Sequence, residues 1–207
     1  MHIAGVAFID ANQEGSHVLW PNPSWGDIER GVDFWAAIGV RGKVGVVGGG
    51  LTEEEWARME EVTSTEGYAA TAGREMAEYI PSQKALAQWR DFERIDDDPL
   101  FGDVPLCVLK AYTVSDHVKV YEEGVRRGNG SEELRREIRD KLAWYDEVDG
   151  RLQRQLLGLV RGGGRWVETR ESGHWVHMMV PGVVAEVVRW VFEEVERRGR
   201  EVGREAE

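Results

Sequence analysis

The residues with the clearest potential for chemistry lie near the end of the chain, in the run Ser172-Gly-His-Trp-Val-His177. A short apolar run from Arg165 to Thr169 precedes it and predicts a strand, and an amphipathic run from Pro181 to Arg197 follows it and predicts a helix. His174 is therefore expected on the connecting loop, directly beyond a strand end, where loops commonly hold reactive side chains. An imidazole there could act as a general base. His177 is expected to pack or to form a hydrogen bond.

Two further apolar runs predict strands that come earlier in the chain. The first extends from Met1 to Asp10 and the second from Pro105 to Tyr112. Two predicted helices, Ser131 to Tyr145 and Asp149 to Val160, separate the second strand from the third, and Gly162 to Gly164 ends the later helix. Alternation of strands and helices is typical of a parallel sheet with right-handed crossovers. The sequence therefore predicts the α/β class.

Residues 16–103 are rich in tryptophan and in amphipathic helical patterns. Thr52 followed by Glu55 predicts a capping box at the start of a helix, with Trp56 and Met59 on one face. Two more helices are expected in this block, at Tyr68 to Tyr79 and Ser82 to Glu93.

The segment from Arg165 to Val191 resembles the C-terminal end of the α/β-hydrolase family, in which the loop after the last strand carries the catalytic histidine. Ala4 to Asn12 resembles the sixth strand of that family, which follows the nucleophile helix, and residues 16–103 resemble its cap or lid. The resemblance implies one incomplete α/β-hydrolase domain over residues 1–207. It would contain three adjacent parallel strands flanked by helices, a helical cap insertion at 16–103 and a frayed tail at 199–207. It also implies hydrolysis of an ester-like substrate by a catalytic triad, with His174 as the base.

Two aspartates could orient such a histidine. Asp10 stands directly at a predicted strand end, where some members of the family carry the triad carboxylate. Asp116 lies a few residues beyond the second strand, near the position used by most members, and could instead cap a helix around Val118 to Glu123. The strand-end position slightly favours Asp10, and both remain candidates.

The nucleophile that the triad requires is missing from the chain. The elbow motif Gly-x-Ser-x-Gly, which exposes a serine between a strand and a helix, does not occur. Ser131 follows no strand and is predicted to cap a helix, and Ser115 has no elbow around it. Gly48-Gly-Gly50 lacks the histidine of the family's oxyanion loop and is predicted to be a turn. We therefore expect the chain alone to be inactive as a triad hydrolase.

Composition narrows the possible partners. With 38 acidic and 26 basic residues the formal net charge is −12, which would repel a nucleic acid backbone. Cys107 is the single cysteine and is predicted to be buried, so neither a disulfide framework nor zinc-like spacing exists, and no cofactor or metal is indicated. No stretch is long and apolar enough to span a bilayer, and the N-terminus lacks the pattern of a signal peptide, which predicts a cytoplasmic protein. Tryptophans in the predicted cap would suit a small apolar or ester-type substrate: Trp20, Trp25, Trp35 and Trp56.

Three functional hypotheses follow. The chain could be the C-terminal part of a hydrolase, or a non-catalytic, degenerate hydrolase that binds an apolar ligand or a protein. It could also be an unrelated binding domain. In the first two cases the strand Ile3 to Ile9 would be a sheet edge that pairs with an N-terminal half or with another copy, and one sheet face would be uncovered.

Overall fold

The sheet is the centre of the fold, and its topology matches the prediction. The computed structural model describes residues 3–11, 25–39, 51–93 and 99–205. Its strands β1 (Val6–Ile9), β2 (Leu106–Lys110) and β3 (Arg165–Glu168) form a parallel sheet in the order β1-β2-β3. The predicted α/β class, with three parallel strands adjacent in chain order, is therefore confirmed for the described residues.

Helices flank this sheet. Those before β2 are α1 (Trp25–Glu29), α2 (Phe34–Ile38), α3 (Glu53–Thr63) and α4 (Glu66–Glu93). Those between β2 and β3 are α5 (Val114–Arg126) and α6 (Glu132–Arg154), and a 3-10 turn at Gln155–Leu159 follows α6. After β3 come α7 (Val176–Met179) and α8 (Pro181–Glu205). No helix in the described ranges combines the length and the apolarity that a membrane crossing needs.

The central strand β2 is buried along its whole length because both faces of the sheet are covered there. On one face Cys107 and Leu109 pack with residues of α8, and on the other Leu106 and Val108 pack beside Val160. The predicted burial of Cys107 is confirmed. The prediction of an uncovered sheet face is wrong at β2, whereas the four residues of β1, at the edge of the described sheet, are half-buried.

A second core joins the early helices to the helices that follow β2. Trp25, Ile28 and Trp56 pack with Val120 of α5 and Ile138 of α6. Helices α1 and α5 approach closely at Gly124, where a Cβ atom would overlap the carbonyl group of Ile28. The packing of α1 therefore depends on a glycine, which has no side chain, at this position of α5.

Two predicted helix breaks are wrong. The segments Tyr68 to Tyr79 and Ser82 to Glu93 form the single helix α4, which continues through Pro81. Proline removes one backbone hydrogen bond, and the alanine, glutamate, lysine and glutamine residues around it favour the helix. Likewise α6 runs unbroken from Glu132 to Arg154, because residues 146–148 contain neither glycine nor proline.

The ends of several elements also differ from the predictions. Strand β1 begins at Val6 rather than at Met1 or Ile3, and β2 and β3 are shorter than predicted. Helix α8 continues to Glu205, so residues 199–205 of the predicted frayed tail are helical. Ion pairs of Arg197 with Glu194 and Glu201 support this extension.

The predicted helix starts at Thr52 and Ser131 are confirmed. The hydroxyl of Thr52 accepts a hydrogen bond from the Glu55 main chain in a full capping box, and the hydroxyl of Ser131 accepts one from the Leu134 main chain. The predictions made for Trp20 and for Gly48 to Gly50 lie outside the described residues.

The close approach at Gly124 predicts two glycine substitutions of opposite effect. Gly124→Ala should lower the free energy of unfolding by about 1–3 kcal/mol, because the added methyl group forces α1 away from α5. Gly73→Ala in α4 should raise it by about 0.5–1 kcal/mol, since that helix position is open and alanine is the better helix former. Urea unfolding curves measure both. Equal effects of the two variants would contradict the packing of α1 on α5.

Candidate functional site

The candidate site lies where the three strands end. Asp10 follows β1, Thr113 lies just beyond β2, and His174 lies on the loop after β3. Parallel strands bring their carboxyl ends to one edge of a sheet, which is where ligands and catalytic groups of open α/β sheets are found. The fold thus brings together side chains that are up to 164 positions apart in the chain.

The carboxylate of Asp10 is buried and accepts four hydrogen bonds. Its Oδ1 atom accepts from the Ala111 main-chain N–H at 3.0 Å and from Gln153 Nε2 at 3.0 Å. Its Oδ2 atom accepts from Thr113 Oγ1 at 2.5 Å and lies 2.8 Å from His174 Nδ1. With four donors directed at it, the carboxylate is fixed in position and orientation.

These contacts shift both partners of the pair toward their charged forms. Burial acts to raise the pKa of Asp10, but the hydrogen bonds from His174, Thr113 and Gln153 outweigh it, so the pKa is lowered. The hydrogen bond to Asp10 raises the pKa of His174, against the opposing effect of burial. The pair therefore favours an ionised carboxylate beside an imidazole that accepts a proton readily.

The geometry leaves the other ring nitrogen of His174 available. Nδ1 faces Asp10, while Nε2 has no hydrogen-bond partner within the described part of the chain. The His174 side chain is 47% exposed, whereas that of Asp10 is 2% exposed. A buried carboxylate that fixes the tautomer of a half-exposed imidazole is an arrangement suited to general acid–base chemistry.

Asp116, the second predicted acid, contacts the backbone of His174 and not its ring. Oδ2 of Asp116 accepts from the His174 backbone N–H at 2.9 Å, and Lys119 Nζ lies 3.8 Å from Oδ1 of Asp116. The alternative reading of Asp116 as a helix cap is wrong, because α5 begins at Val114 and includes Asp116 in its first turn. Burial raises the pKa of Asp116, against the lowering effects of Lys119 and of the His174 N–H group.

Gly173 allows this contact. A Cβ atom at position 173 would overlap the carboxylate of Asp116, so the loop can reach Asp116 only with glycine there. The glycine in the Ser-Gly-His run is thus explained by a close approach rather than by an unusual backbone angle.

The neighbouring aromatic residues are mostly packing groups. His177 is exposed, and its ring lies against Trp175 with ring centres 5.7 Å apart. His117 is enclosed by Trp25 and Tyr145, and burial lowers the pKa of His117 to about 4. It is therefore neutral at physiological pH.

A cleft of about 450 Å³ opens beside the histidine loop. Trp175, the residue after His174, forms part of its wall and touches the ring of Trp35, with centres 4.5 Å apart. The remaining wall comes from α3, the start of α4 and α7: Arg58, Met59, Val62, Thr63, Tyr68 and Met178. Most of this lining is apolar.

Three contributors to the site were not predicted from the sequence. Thr113 and Gln153 donate to Asp10, and Lys110 is buried at the end of β2. A lysine that closes an otherwise apolar strand is the one signal that could have pointed to Lys110. Gln153 carries no such signal, since it stands in a charged helical sequence.

Neither a nucleophile nor a metal site is found among the candidates that the structure describes. Ser131 caps α6 and Ser115 lies within α5, so neither stands at a strand-to-helix elbow. Ser172 is buried and its hydroxyl donates to the carbonyl of Gly173. Within the described ranges no group of three or more histidine, cysteine, aspartate or glutamate side chains could hold a metal ion.

Comparison with known proteins adds little about chemistry. No family model matches the chain, and no solved structure matches it. A curated protein named "Probable transporter efuK", from Hormonema carpetanum, is 27% identical over 148 residues. The match covers 72% of this chain but spans only 20% of that relative. A likeness of this extent assigns neither a family nor an activity to this chain.

Replacing the two aspartates should affect His174 differently. Asp10→Asn should lower the pKa of His174, because the hydrogen bond to Asp10 is the largest cause that raises it. Asp116→Asn should lower that pKa less, since its carboxylate contacts the main chain of His174 and not the ring. Histidine side-chain NMR signals, followed against pH and assigned with His174→Gln, measure the shifts. The exposed Asp103 provides the control Asp103→Asn, and an unchanged pKa in Asp10→Asn would contradict the ring contact.

The raised pKa of His174 also predicts how stability depends on pH. Because the folded-state value lies above the unfolded one, the charged pair stabilises the fold fully below about pH 6.5, down to the lowered pKa at which Asp10 takes up a proton. This contribution is lost as the pH rises through the folded-state pKa. The stability difference between the wild type and His174→Gln, measured by urea unfolding at several pH values, should therefore shrink toward alkaline pH.

Proposed function

We propose that this chain is the C-terminal part of an α/β-hydrolase-type enzyme that acts on an ester-like substrate through a triad. The observation that carries the proposal is the contact of 2.8 Å between the buried Asp10 carboxylate and His174 Nδ1 at the carboxyl ends of parallel strands. The resemblance of the Ser-Gly-His loop to that family's histidine loop supports the same assignment.

In this proposal His174 is the general base and Asp10 its orienting acid. Nε2 would take the proton of a serine-type hydroxyl as that oxygen attacks the substrate carbonyl, and would then return the proton to the leaving group. Asp10 would hold the tautomer with Nδ1–H and stabilise the imidazolium that forms. Asp116 would fix the loop by holding the His174 main chain.

The nucleophile of this mechanism would have to come from outside the 207 residues, because they contain no Gly-x-Ser-x-Gly elbow. We therefore expect the chain alone to have no triad hydrolase activity. The edge strand β1, half-buried on every residue, is where an N-terminal half or a second copy would pair in this proposal.

Residues 16–103 would serve as the cap in this proposal, and the cleft would receive the apolar part of the substrate. The cleft is lined by α3 and α4 of this segment and by Trp175, whose ring lies against His174 with centres 5.8 Å apart. An apolar chain bound there would end near the proposed base.

The alternative is a non-catalytic descendant of such an enzyme that binds an apolar ligand or a protein. The apolar cleft, together with the absence of the elbow from the sequence, favours this second candidate. The two candidates differ in one respect that can be tested, namely whether a nucleophile is supplied to His174.

The first experiment is to read the transcript upstream of the codon for Met1. An in-frame strand, Gly-x-Ser-x-Gly elbow and helix would support the enzyme. The completed protein should then hydrolyse p-nitrophenyl esters, and His174→Ala should lower kcat/KM by on the order of 10³-fold or more. His177→Ala should change it by less than about tenfold, because His177 packs against Trp175 without contacting Asp10. A stop codon directly upstream would overturn the proposed hydrolase activity and would favour the binding role.

Ligand binding by the chain itself tests the cleft. 4-Nitrophenyl octyl ether, an ester analogue that cannot be hydrolysed, should bind the 207-residue chain, and Trp175→Ala should weaken that binding on the order of tenfold, about 1.4 kcal/mol. Isothermal titration calorimetry measures the affinities. Trp144→Ala is the matched control, since Trp144 is exposed on α6 and lies outside the cleft. Equal weakening in both variants would contradict binding in the cleft.

A further inference from the structure

A buried polar cluster lies next to the Asp10–His174 pair, and apart from the Gln153 hydrogen bond to Asp10 it has no part in the mechanism described above. It consists of Lys110, Asp146, Asp149 and Gln153. Lys110, Asp149 and Gln153 are buried, and Asp146 is half-buried. Charged groups are costly to bury, so a cluster of this kind at the back of a candidate site calls for a role.

Gln153 links the cluster to the pair. Its Nε2 atom lies 3.0 Å from Asp10 Oδ1 and 3.0 and 3.2 Å from the two carboxylate oxygens of Asp149. An amide nitrogen has two N–H groups, so Nε2 can donate to both aspartates at once. While both aspartates are ionised, the reverse orientation would place the amide oxygen against two carboxylates, so the orientation seen here is favoured.

Lys110 supplies the positive charge of the cluster. Its Nζ atom lies 2.5 Å from Asp146 Oδ1 and 3.7 Å from Asp149 Oδ2, and it donates to the carbonyl of Ala111 at 3.0 Å. The aliphatic part of the side chain crosses α6 at Gly150, where an added Cβ would lie 3.2 Å from Lys110 Cε. The residue after Lys110, Ala111, is also the one whose N–H group binds Asp10.

We propose that Asp149 is a positioning residue that is coupled through the Gln153 amide to the Asp10–His174 pair, and that its protonation state regulates the protonation of His174. This inference rests on the proposed function for its biological meaning, because it describes a regulation of the same site. The coupling itself is a property of the folded chain and requires no activity.

The charges around Asp149 determine the direction of the effect. Burial raises the pKa of Asp149 to about 6, with the charges of Asp10 and Asp146 adding to the increase, while Gln153 and Lys110 oppose it. Above about pH 6 Asp149 is ionised, and its negative charge favours the imidazolium form of His174. Below that pH Asp149 is neutral, and this support for the imidazolium is withdrawn.

The groups that face Asp149 come from each neighbouring element. Asp10 follows β1, Lys110 ends β2, Asp146 and Gln153 lie on α6, and His174 lies on the loop after β3. Arg170, on that same loop, approaches Asp146 at 3.8 Å from the solvent side. Because the Asp149 carboxyl and the His174 ring interact, their proton-binding transitions belong to the coupled pair rather than to single residues.

The test is an NMR titration of the 207-residue chain. The Asp149 carboxyl carbon should titrate near pH 6, and the His174 ring signals should show a step at the same pH in addition to their own transition. This part needs no substitution, so it does not depend on any variant that could fail to fold. A single His174 transition, or an Asp149 carboxyl that titrates near pH 4, would overturn the proposal.

Three variants then locate the coupling. Asp149→Asn should remove the step near pH 6 and lower the pKa of His174. Lys110→Met should move the step to higher pH, because Lys110 lowers the pKa of Asp149. Asp146→Asn is the matched control: it removes a partner of Lys110 that does not touch Gln153, so the step should persist, displaced only toward lower pH.

The outcomes separate this proposal from the proposed function. A coupled titration in a protein that never hydrolyses an ester, even when completed upstream, would uphold the coupling and overturn the enzyme. Hydrolysis that depends on His174, combined with identical His174 titrations in the wild type and in Asp149→Asn, would uphold the enzyme and overturn the coupling.

Discussion

The structure depends on one buried carboxylate. Asp10 ends the first strand and accepts hydrogen bonds from the segment after β2, from helix α6 and from the loop after β3. A single side chain thereby holds three regions, the last of which lies 164 positions beyond Asp10 in the chain. Because the buried Ala111 N–H and Thr113 hydroxyl would lose their acceptor without it, the carboxylate matters to the fold as well as to the site. The contacts of Asp10 that hold these segments together are therefore also the contacts that define the candidate site.

Local sequence signals predicted much of this fold. The strand order followed from three apolar runs separated by helices, and the helix starts at Thr52 and Ser131 followed from capping chemistry. The errors concern continuity. Pro81 was expected to break a helix, but one missing backbone hydrogen bond did not outweigh favourable residues on both sides. The two helices predicted on either side of residues 146–148 are one helix, because the low propensity of Asp146 and Val148 does not outweigh the packing of the helix.

The site was predictable only in part. His174 and Asp10 stand at strand ends, and the rule that parallel strands end at a common edge is enough to bring them close. Which of the two aspartates meets the ring depends on the path of a loop, and no local pattern encodes that path. The contacts of Thr113, Gln153 and Lys110 arise from packing between elements distant in sequence, for which a single sequence carries no signal. The sequence shows a glycine at position 173, but it does not show the reason for that glycine, which is the close approach of Asp116.

The backbone of Asp10 limits which residues could take its place. Its φ is +43°, in the left-handed region, which costs a residue with a side chain roughly 1 kcal/mol and which asparagine tolerates as well as aspartate. An asparagine amide would keep one acceptor oxygen, but its NH2 group would face Thr113 Oγ1 and His174 Nδ1, the two groups that meet Oδ2. The backbone angle alone therefore admits either residue, and the donors around the side chain favour the carboxylate.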